Sequence, residues 1–326
     1  MATTQTKKPN ILSRIRNGID ALQRKHPALG FPYAVIKKYG EDEAGYQAAL
    51  LTYYAFLAIF PLLLVLTTVL GLVAAHNQEL QNTVLKGLNE YFPALGGQLA
   101  AKIGTINKSG IALVVGVIFT LYGARGVADA FRHGVNKIWH IPRVKRDGFP
   151  KSLFKSLSII LLGGSGFLLA AISSTYAGSA GTGVVFHVLA LAVNVIILFG
   201  LFTFLLKISL PGRVTFRDTK AGAVTAALGV VLLQFVGGAI VRSQLRNLDA
   251  LYSSFAVPLG LLFWLYLQAQ VLYYSIEIAA VRSQKLWPRA IDNKKLTSAD
   301  KRAYTRISAS GQYLSVQKIT TKFRKD

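Results

Sequence analysis

The chain has 326 residues, 52% of them hydrophobic and only 16% charged, with no cysteine and a formal net charge of +23. A soluble chain of this length carries charge on about a quarter of its residues. Here the apolar residues gather into long blocks, which points to an integral membrane protein, and the missing cysteine excludes disulfides, thiolate catalysis and Cys-based metal sites.

Residues 1–46 are polar and basic. Within them ILSRIRNGIDALQRK, residues 11–25, sets Ile11, Leu12, Ile15, Ile19 and Leu22 on one helical face, with Arg14, Arg16, Arg24 and Lys25 largely elsewhere. That pattern predicts an amphipathic helix ended by Pro27. It lies either on the inner leaflet or packed on the cytoplasmic loops. Six apolar blocks follow, near 48–75, 111–128, 153–174, 184–207, 221–241 and 253–281. Each is long enough to cross roughly 30 Å of hydrocarbon at about 1.5 Å per residue, the second only just. Backbone in lipid must satisfy its own hydrogen bonds, so the blocks are helices. The first is too long for the apolar core of a signal peptide and reads as a retained span. The connection 76–110 contains YFPALGGQLA and predicts a short amphipathic helix and a turn. The tail 283–326 is polar and basic, and is expected to be flexible. The fold class is therefore all-α: a polytopic bundle of six transmembrane helices over 47–282, between a 1–46 interfacial segment and a 283–326 tail.

Lys and Arg orient it. Of the 37, 32 fall in the N-terminal segment, in the connections after blocks two and four with the block ends flanking them, and from Arg282 onward, and 5 fall in the other three connections. Excess Lys and Arg marks the cytoplasmic side, so both termini are expected inside. Topology accounts for the basicity without nucleic acid.

Glu277, in LLFWLYLQAQVLYYSIEIAAVR, residues 261–282, is the most informative residue. Charged residues within spans are costly and by default mark function. Glu277 falls about one turn from the cytoplasmic end of its block, so anchoring near the interface stands beside a substrate, proton or gating role. Arg125 and Asp129, four residues apart and on one helical face, approach the same depth. A Glu277–Arg125–Asp129 cluster is the expected pairing. Gln268, Gln270 and Gln234 read as helix glue or as the lining of a polar path. Pro61 and Pro258 are expected to kink spans one and six. The glycines of LLGGSGFLLA, residues 161–170, and the small residues of AGAVTAALG, residues 221–229, are expected to serve close helix packing. The five histidines, His26, His76, His133, His140 and His187, form no i, i+4 pair and no cluster with carboxylates that would read as a metal site. No phosphate loop is present. Neither a metal, a cofactor nor an enzymatic activity is expected.

Four stretches together carry a resemblance: TYYAFLAIFPLLL (52–64), GVNKIWHI (134–141), LPGRVTFRDTKAGAVTAAL (210–228) and SFAVPLGLLFWLYLQAQVLYYSIEIAA (254–280). They resemble the YihY/virulence factor BrkB family, in order and in register over roughly residues 35–285. The resemblance implies a six-helix inner-membrane protein with cytoplasmic termini. It carries Glu277 over as the carboxylate near the end of the last span, with Tyr53, Tyr54, Pro61, Asn136, Trp139 and Pro211 at matching positions. Tyr53 and Tyr54 thereby join the candidate span-lining residues. Ala279 and Gly212 depart from the pattern, where the family often has Asn and a polar residue. Members have carried a ribonuclease BN label, which the residues here do not support, and others are linked to virulence or to export of envelope lipid.

The function expected is a transporter or flippase-like translocator of an amphipathic, anionic, lipid-like envelope component in the inner (plasma) membrane. A structural or assembly scaffold is the alternative, and a ribonuclease the least favoured reading. The partners expected are membrane lipids, through anionic headgroups at the cytoplasmic face, and either a second copy of the chain or another protein. No specific nucleic acid is expected.

Overall fold

The computed structural model describes residues 11–74, 82, 86, 110–177, 183–252 except 213, and 256–324 except 293 and 294. The predicted 76–110 helix and turn, including YFPALGGQLA, lie outside these apart from residues 82, 86 and 110, as does His76.

The described chain is helical. It runs α1 (Ile11–Lys25), α2 (Pro27–Glu41), α3 (Ala44–Ala74), α4 (Gly110–Ile138), a 3₁₀ turn (Arg143–Lys145), α5 (Lys151–Ala177), α6 (Val184–Ser209), α7 (Phe216–Tyr252), α8 (Ala256–Ser283) and α9 (Ser298–Ser310). α1 ends before Pro27, as expected. Pro27 then opens a second helix, α2, which the apolar-block reading lacks. A proline in the first turn has no intrahelical N–H bond to lose, so it starts a helix as readily as it stops one.

Among the described residues, five helices are long and apolar enough to cross a membrane: Val114–Ile138, Lys151–Ser173, Val184–Ser209, Phe216–Gly237 and Pro258–Ser283. α3 is 31 residues long and apolar through Ala44–Ile59. Each of the long helices packs on the next in chain order, α3 on α4 through to α7 on α8, and α8 returns to α3. A shared apolar core runs through them, including Leu51, Phe131, Leu198, Phe202, Ala226 and Ile276. Large apolar residues such as Leu161, Leu189, Ile196, Leu232 and Phe235 face outward. That distribution suits hydrocarbon rather than water as the surrounding solvent.

The small residues of 221–229 act as expected. Ala223, Ala226 and Ala227 are buried, and a Cβ on Gly222 would stand 2.6 Å from the Ser275 carbonyl oxygen. α7 and α8 thus touch backbone to backbone. The 161–170 glycines divide: Gly166 lies against Leu201, whereas Gly163 and Gly164 meet nothing within 4 Å. Close packing explains the first and not the other two. Pro258 stands in the first turn of α8, where no kink is needed. Pro61 falls within α3, and its side chain lies outside the described residues.

The helix ends facing α2 are locally specified. α4 ends in a left-handed residue, His140 (φ 51), with His140 N–H donating to Lys137 O at 2.9 Å and Ile141 N–H to Asn136 O at 3.0 Å. α8 ends the same way at Lys285 (φ 53), with Leu286 N–H donating to Val281 O at 3.0 Å. These are Schellman closures, which satisfy the last carbonyls and turn the chain sharply back. Thr215 precedes α7, and its N–H donates to Asp218 Oδ2 at 2.8 Å, half of a capping box. The other Asp218 oxygen accepts from Ser283 Oγ at 2.8 Å, joining the start of α7 to the end of α8.

Over residues 286–310 the tail is docked on the rest of the protein, where the sequence suggests a flexible segment. α9 opens with a complete Thr297–Asp300 capping box. Arg289 and Asp300 are both fully buried, and Arg289 Nε donates to Asp300 Oδ1 at 2.6 Å. Arg289 also grips Glu41 of α2, at 2.7 Å. α1 holds the same segment: Gln23 Nε2 donates to Arg289 O at 2.5 Å, and Asp20 Oδ1 accepts from Ile291 N–H at 2.9 Å. The polar face of α1 is therefore turned onto the tail, while Ile19 (53% exposed) and Leu22 (50%) point away.

Candidate functional site

α2 carries Lys37, Lys38, Glu41 and Asp42 at its end, and it presents them in two directions. Glu41 faces the tail. Lys38 and Asp42, one helical turn apart, face the bundle. Lys38 is almost completely buried. Its ammonium has three donors, and it meets three acceptors: a carboxylate oxygen of Asp42, Ile138 O at 2.7 Å and Glu277 Oε2 at 2.9 Å. Glu277 is fully buried. The second Asp42 oxygen meets His140 Nε2 at 2.8 Å. One cation, two carboxylates and one imidazole therefore join α2, the Schellman end of α4 and the last turns of α8.

Burial opposes ionisation of Asp42, but Lys38 and then His140 outweigh it and hold the carboxyl below the usual range. Burial likewise works against charge on Lys38, and Glu277 with Asp42 reverses that, so its pKa is raised. Burial lowers the pKa of His140 despite Asp42. His140 is thus neutral at pH 7. An ionised Asp42 only accepts, so the His140 proton sits on Nε2. His140 Nδ1, Glu277 Oε1 and Tyr273 Oη are buried polar atoms without a protein partner. The network thus has ionic contacts at its centre and spare hydrogen-bonding capacity at its edge.

The expected Glu277–Arg125–Asp129 cluster is corrected here. Glu277 pairs with Lys38, while Arg125 pairs with Asp129 of its own helix at 3.5 Å, with side chains 56% and 46% exposed. The α4 helix is longer than its apolar block, so Arg125 and Asp129 stand mid-helix on an open face. Asp129 instead reaches α5, accepting from Ser156 Oγ at 2.5 Å. His140 meets Asp42, a pairing that the spacing of the histidines does not show. Among the other predicted residues, Gln270 Oε1 accepts from Tyr39 Oη of α2, and Tyr39 stacks on Tyr274 at 4.0 Å. Gln234 has a buried Nε2 without a partner. Tyr53 is exposed, and Tyr54 packs against the core beside Gly126. Gln268 is engaged in a contact of its own. Of the motif residues, Asn136 Nδ2 donates to Ser209 O at 2.9 Å, tying the end of α4 to the end of α6. Among the described residues, no group of three or more His, Asp or Glu stands where it could hold a metal ion.

Lys38, Asp42 and His140 were not singled out from the sequence. A partial signal existed: Lys38 and Asp42 form an i, i+4 pair, and Glu277 in its apolar run needs a cation, but nothing along the chain joins the two.

A family model described as virulence factor BrkB matches residues 35–299. Among curated proteins, the chain is 26% identical over 270 residues to a UPF0761 membrane protein of Psychrobacter sp., covering 78% of this chain and 48% of that one. It is 27% identical over 260 residues to a UPF0761 membrane protein of Chromohalobacter salexigens, covering 76% and 61%. It is 26% identical over 284 residues to one of Pseudomonas aeruginosa, covering 82% and 66%. The chain thus spans about half to two thirds of the length of these relatives. No solved structure matches it.

Proposed function

The chain belongs to the virulence factor BrkB family of membrane proteins, and from that premise we propose that it is a translocator, not an enzyme, for an amphipathic anionic envelope component of lipid-like class. The reading places α3 to α8 as six spans of the inner membrane with both termini in the cytoplasm, supported by the 32 of 37 Lys and Arg on that side. Because the chain has no cysteine, single cysteines test this directly. An impermeant maleimide should label Gly183→Cys from outside intact cells and Gly311→Cys only after permeabilisation.

The observation that carries the reading is the Lys38–Asp42–Glu277–His140 network. Desolvating each ion costs several kcal/mol, and apolar packing would join α2 to α8 without that cost. Ionisable groups add what apolar packing lacks, a contact that changes with proton occupancy or with an arriving charge. The test is transbilayer movement of labelled phosphatidylglycerol in vesicles, wild type beside Glu277→Gln. Movement above protein-free vesicles, lost in the variant, is expected. Wild-type vesicles that match protein-free ones would overturn the reading.

The docked tail favours a second reading, an assembly scaffold built on the platform of α1, α2 and α9. Deleting residues 286–326 would then abolish function while Glu277→Gln is tolerated.

A further inference from the structure

A group of cations stands apart from the Lys38 network. α4 brings His133 and Lys137, four residues apart and so on one face. The 3₁₀ turn brings Arg143, and Arg146 follows at its end. α9 brings Arg306. Two contacts join the tail to the turn: Val144 N–H donates to Gln312 O at 3.2 Å, and the Arg143 guanidinium lies 4.9 Å over the Tyr313 ring. Arg146 Nε donates to Ile141 O at 3.1 Å, which fixes its head. His133 lies within electrostatic reach of Arg146, Arg143 and Lys137, and His140 within reach of Arg306.

The neighbouring acids are already engaged. Glu43 holds Lys137 at 2.9 Å, Asp147 holds Lys155 at 2.7 Å, and Asp42 belongs to Lys38 and His140. Among the described residues, no carboxylate stands within ion-pair distance of Arg143, Arg146 or Arg306. Arg146 is half-buried, and burial followed by Arg143 lowers its pKa. Like charges held together without an acid are a standing cost that an anion would relieve. Arginine forks match phosphate oxygens in pairs. Phe149, Leu314 and Val316, in the same two chain segments, are exposed apolar residues.

We propose that Arg143 and Arg146, with His133 beside them, bind a phosphate group, carried by an anionic lipid headgroup or by a free phosphoryl compound. The lipid source rests on the translocator reading; phosphate binding at the site does not require movement.

The test uses the full chain in dodecyl maltoside, titrated with dioctanoyl phosphatidic acid, dioctanoylglycerol and inorganic phosphate. Saturable binding of the phosphatidic acid is expected, weakened about tenfold or more in Arg143→Gln/Arg146→Gln. Arg217→Gln/Lys220→Gln removes the same charge at the exposed start of α7 and should bind as wild type. Should the glutamine pair fail to fold, Arg143→Lys/Arg146→Lys keeps the charge but loses the forks, and should bind more weakly than wild type. Inorganic phosphate that competes as well as the lipid supports the free-phosphoryl source. No saturable binding, equal loss in the Arg217/Lys220 variant, or equal binding of dioctanoylglycerol overturns the site. Binding that persists while vesicles show no lipid movement removes the translocator reading and leaves the site standing.

Discussion

Replacing Lys38 by Met should remove the one cation that stands between two buried carboxylates while keeping most of its volume. Asp42 loses its ammonium partner, Glu277 loses its 2.9 Å contact, and Ile138 O loses a donor at 2.7 Å. Breaking a buried pair from one side costs about 3–5 kcal/mol, because the remaining charge is left desolvated and uncompensated. Glu277→Gln should cost less, about 1–2 kcal/mol, since Lys38 keeps Asp42 and Ile138 O. The double variant should therefore cost less than the two single ones added, with a coupling of about 1–3 kcal/mol. The assay is unfolding in mixed micelles titrated with dodecyl sulfate, followed by helical circular dichroism. Arg125→Gln serves as the comparison: its partner is the exposed Asp129, so it should cost under about 1 kcal/mol and add independently to Glu277→Gln. A Lys38→Met protein within about 0.5 kcal/mol of wild type, or strict additivity with Glu277→Gln, would refute the network as a structural unit.

Arg289→Ala should release the tail, because it strips the buried Asp300 and Glu41 of their guanidinium; hydrogen exchange across 286–310 should then lose protection while α3 to α8 keep theirs. Docking should also follow pH in one direction. Burial opposes the charge on Asp300, but Arg289 and the Thr297 and Ala290 N–H groups outweigh it, so its folded pKa lies below its unfolded value. Such a carboxylate stabilises fully above the unfolded pKa of about 3.9 and loses that contribution as pH falls through the folded value. The 286–310 exchange rates, corrected for intrinsic chemistry, should therefore hold steady from pH 8 to about 5 and rise only below about 4. Gly222→Val should lower thermal stability by about 1–3 kcal/mol by driving Cβ into the Ser275 carbonyl. Gly163→Ala, in open space within its helix, should be neutral or stabilising by up to about 1 kcal/mol in the same melt.

Hydrophobic periodicity identifies an element by the solvent it faces, and this sets what is legible here. α5 and α6 coincide with their apolar blocks to within three residues, because lipid selects apolar residues on every face of a span. α2 shows no such block. Its apolar stretch, residues 27–36, is too short to span, and Lys37, Lys38 and Glu41 at its end, with Asp42 as its cap, are matched by partners rather than by water. The tail reads as disordered for the same reason. Its charges look solvated in sequence, yet Arg289 and Asp300 satisfy one another inside the protein. Polar residues report that they need partners, and composition does not distinguish water from a carboxylate.

The amino-acid sequence alone determined the all-helical membrane class, the end of α1 before Pro27, and the prominence of Glu277, since each follows from local chain chemistry or from the cost of charge in an apolar run. It also held the family resemblance that the match over residues 35–299 bears out. The tertiary structure decided which cation meets Glu277. Arg125 and Lys38 were both available along the chain, and helix depth alone did not separate them. The choice came from the turn at Glu43 (φ 54), which folds α2 back against α8, and from the Schellman end of α4, which delivers Ile138 O and His140 to the same point. Contacts 239 residues apart in sequence depend on the relative placement of whole helices, and that placement is the summed outcome of packing along every seam of the bundle.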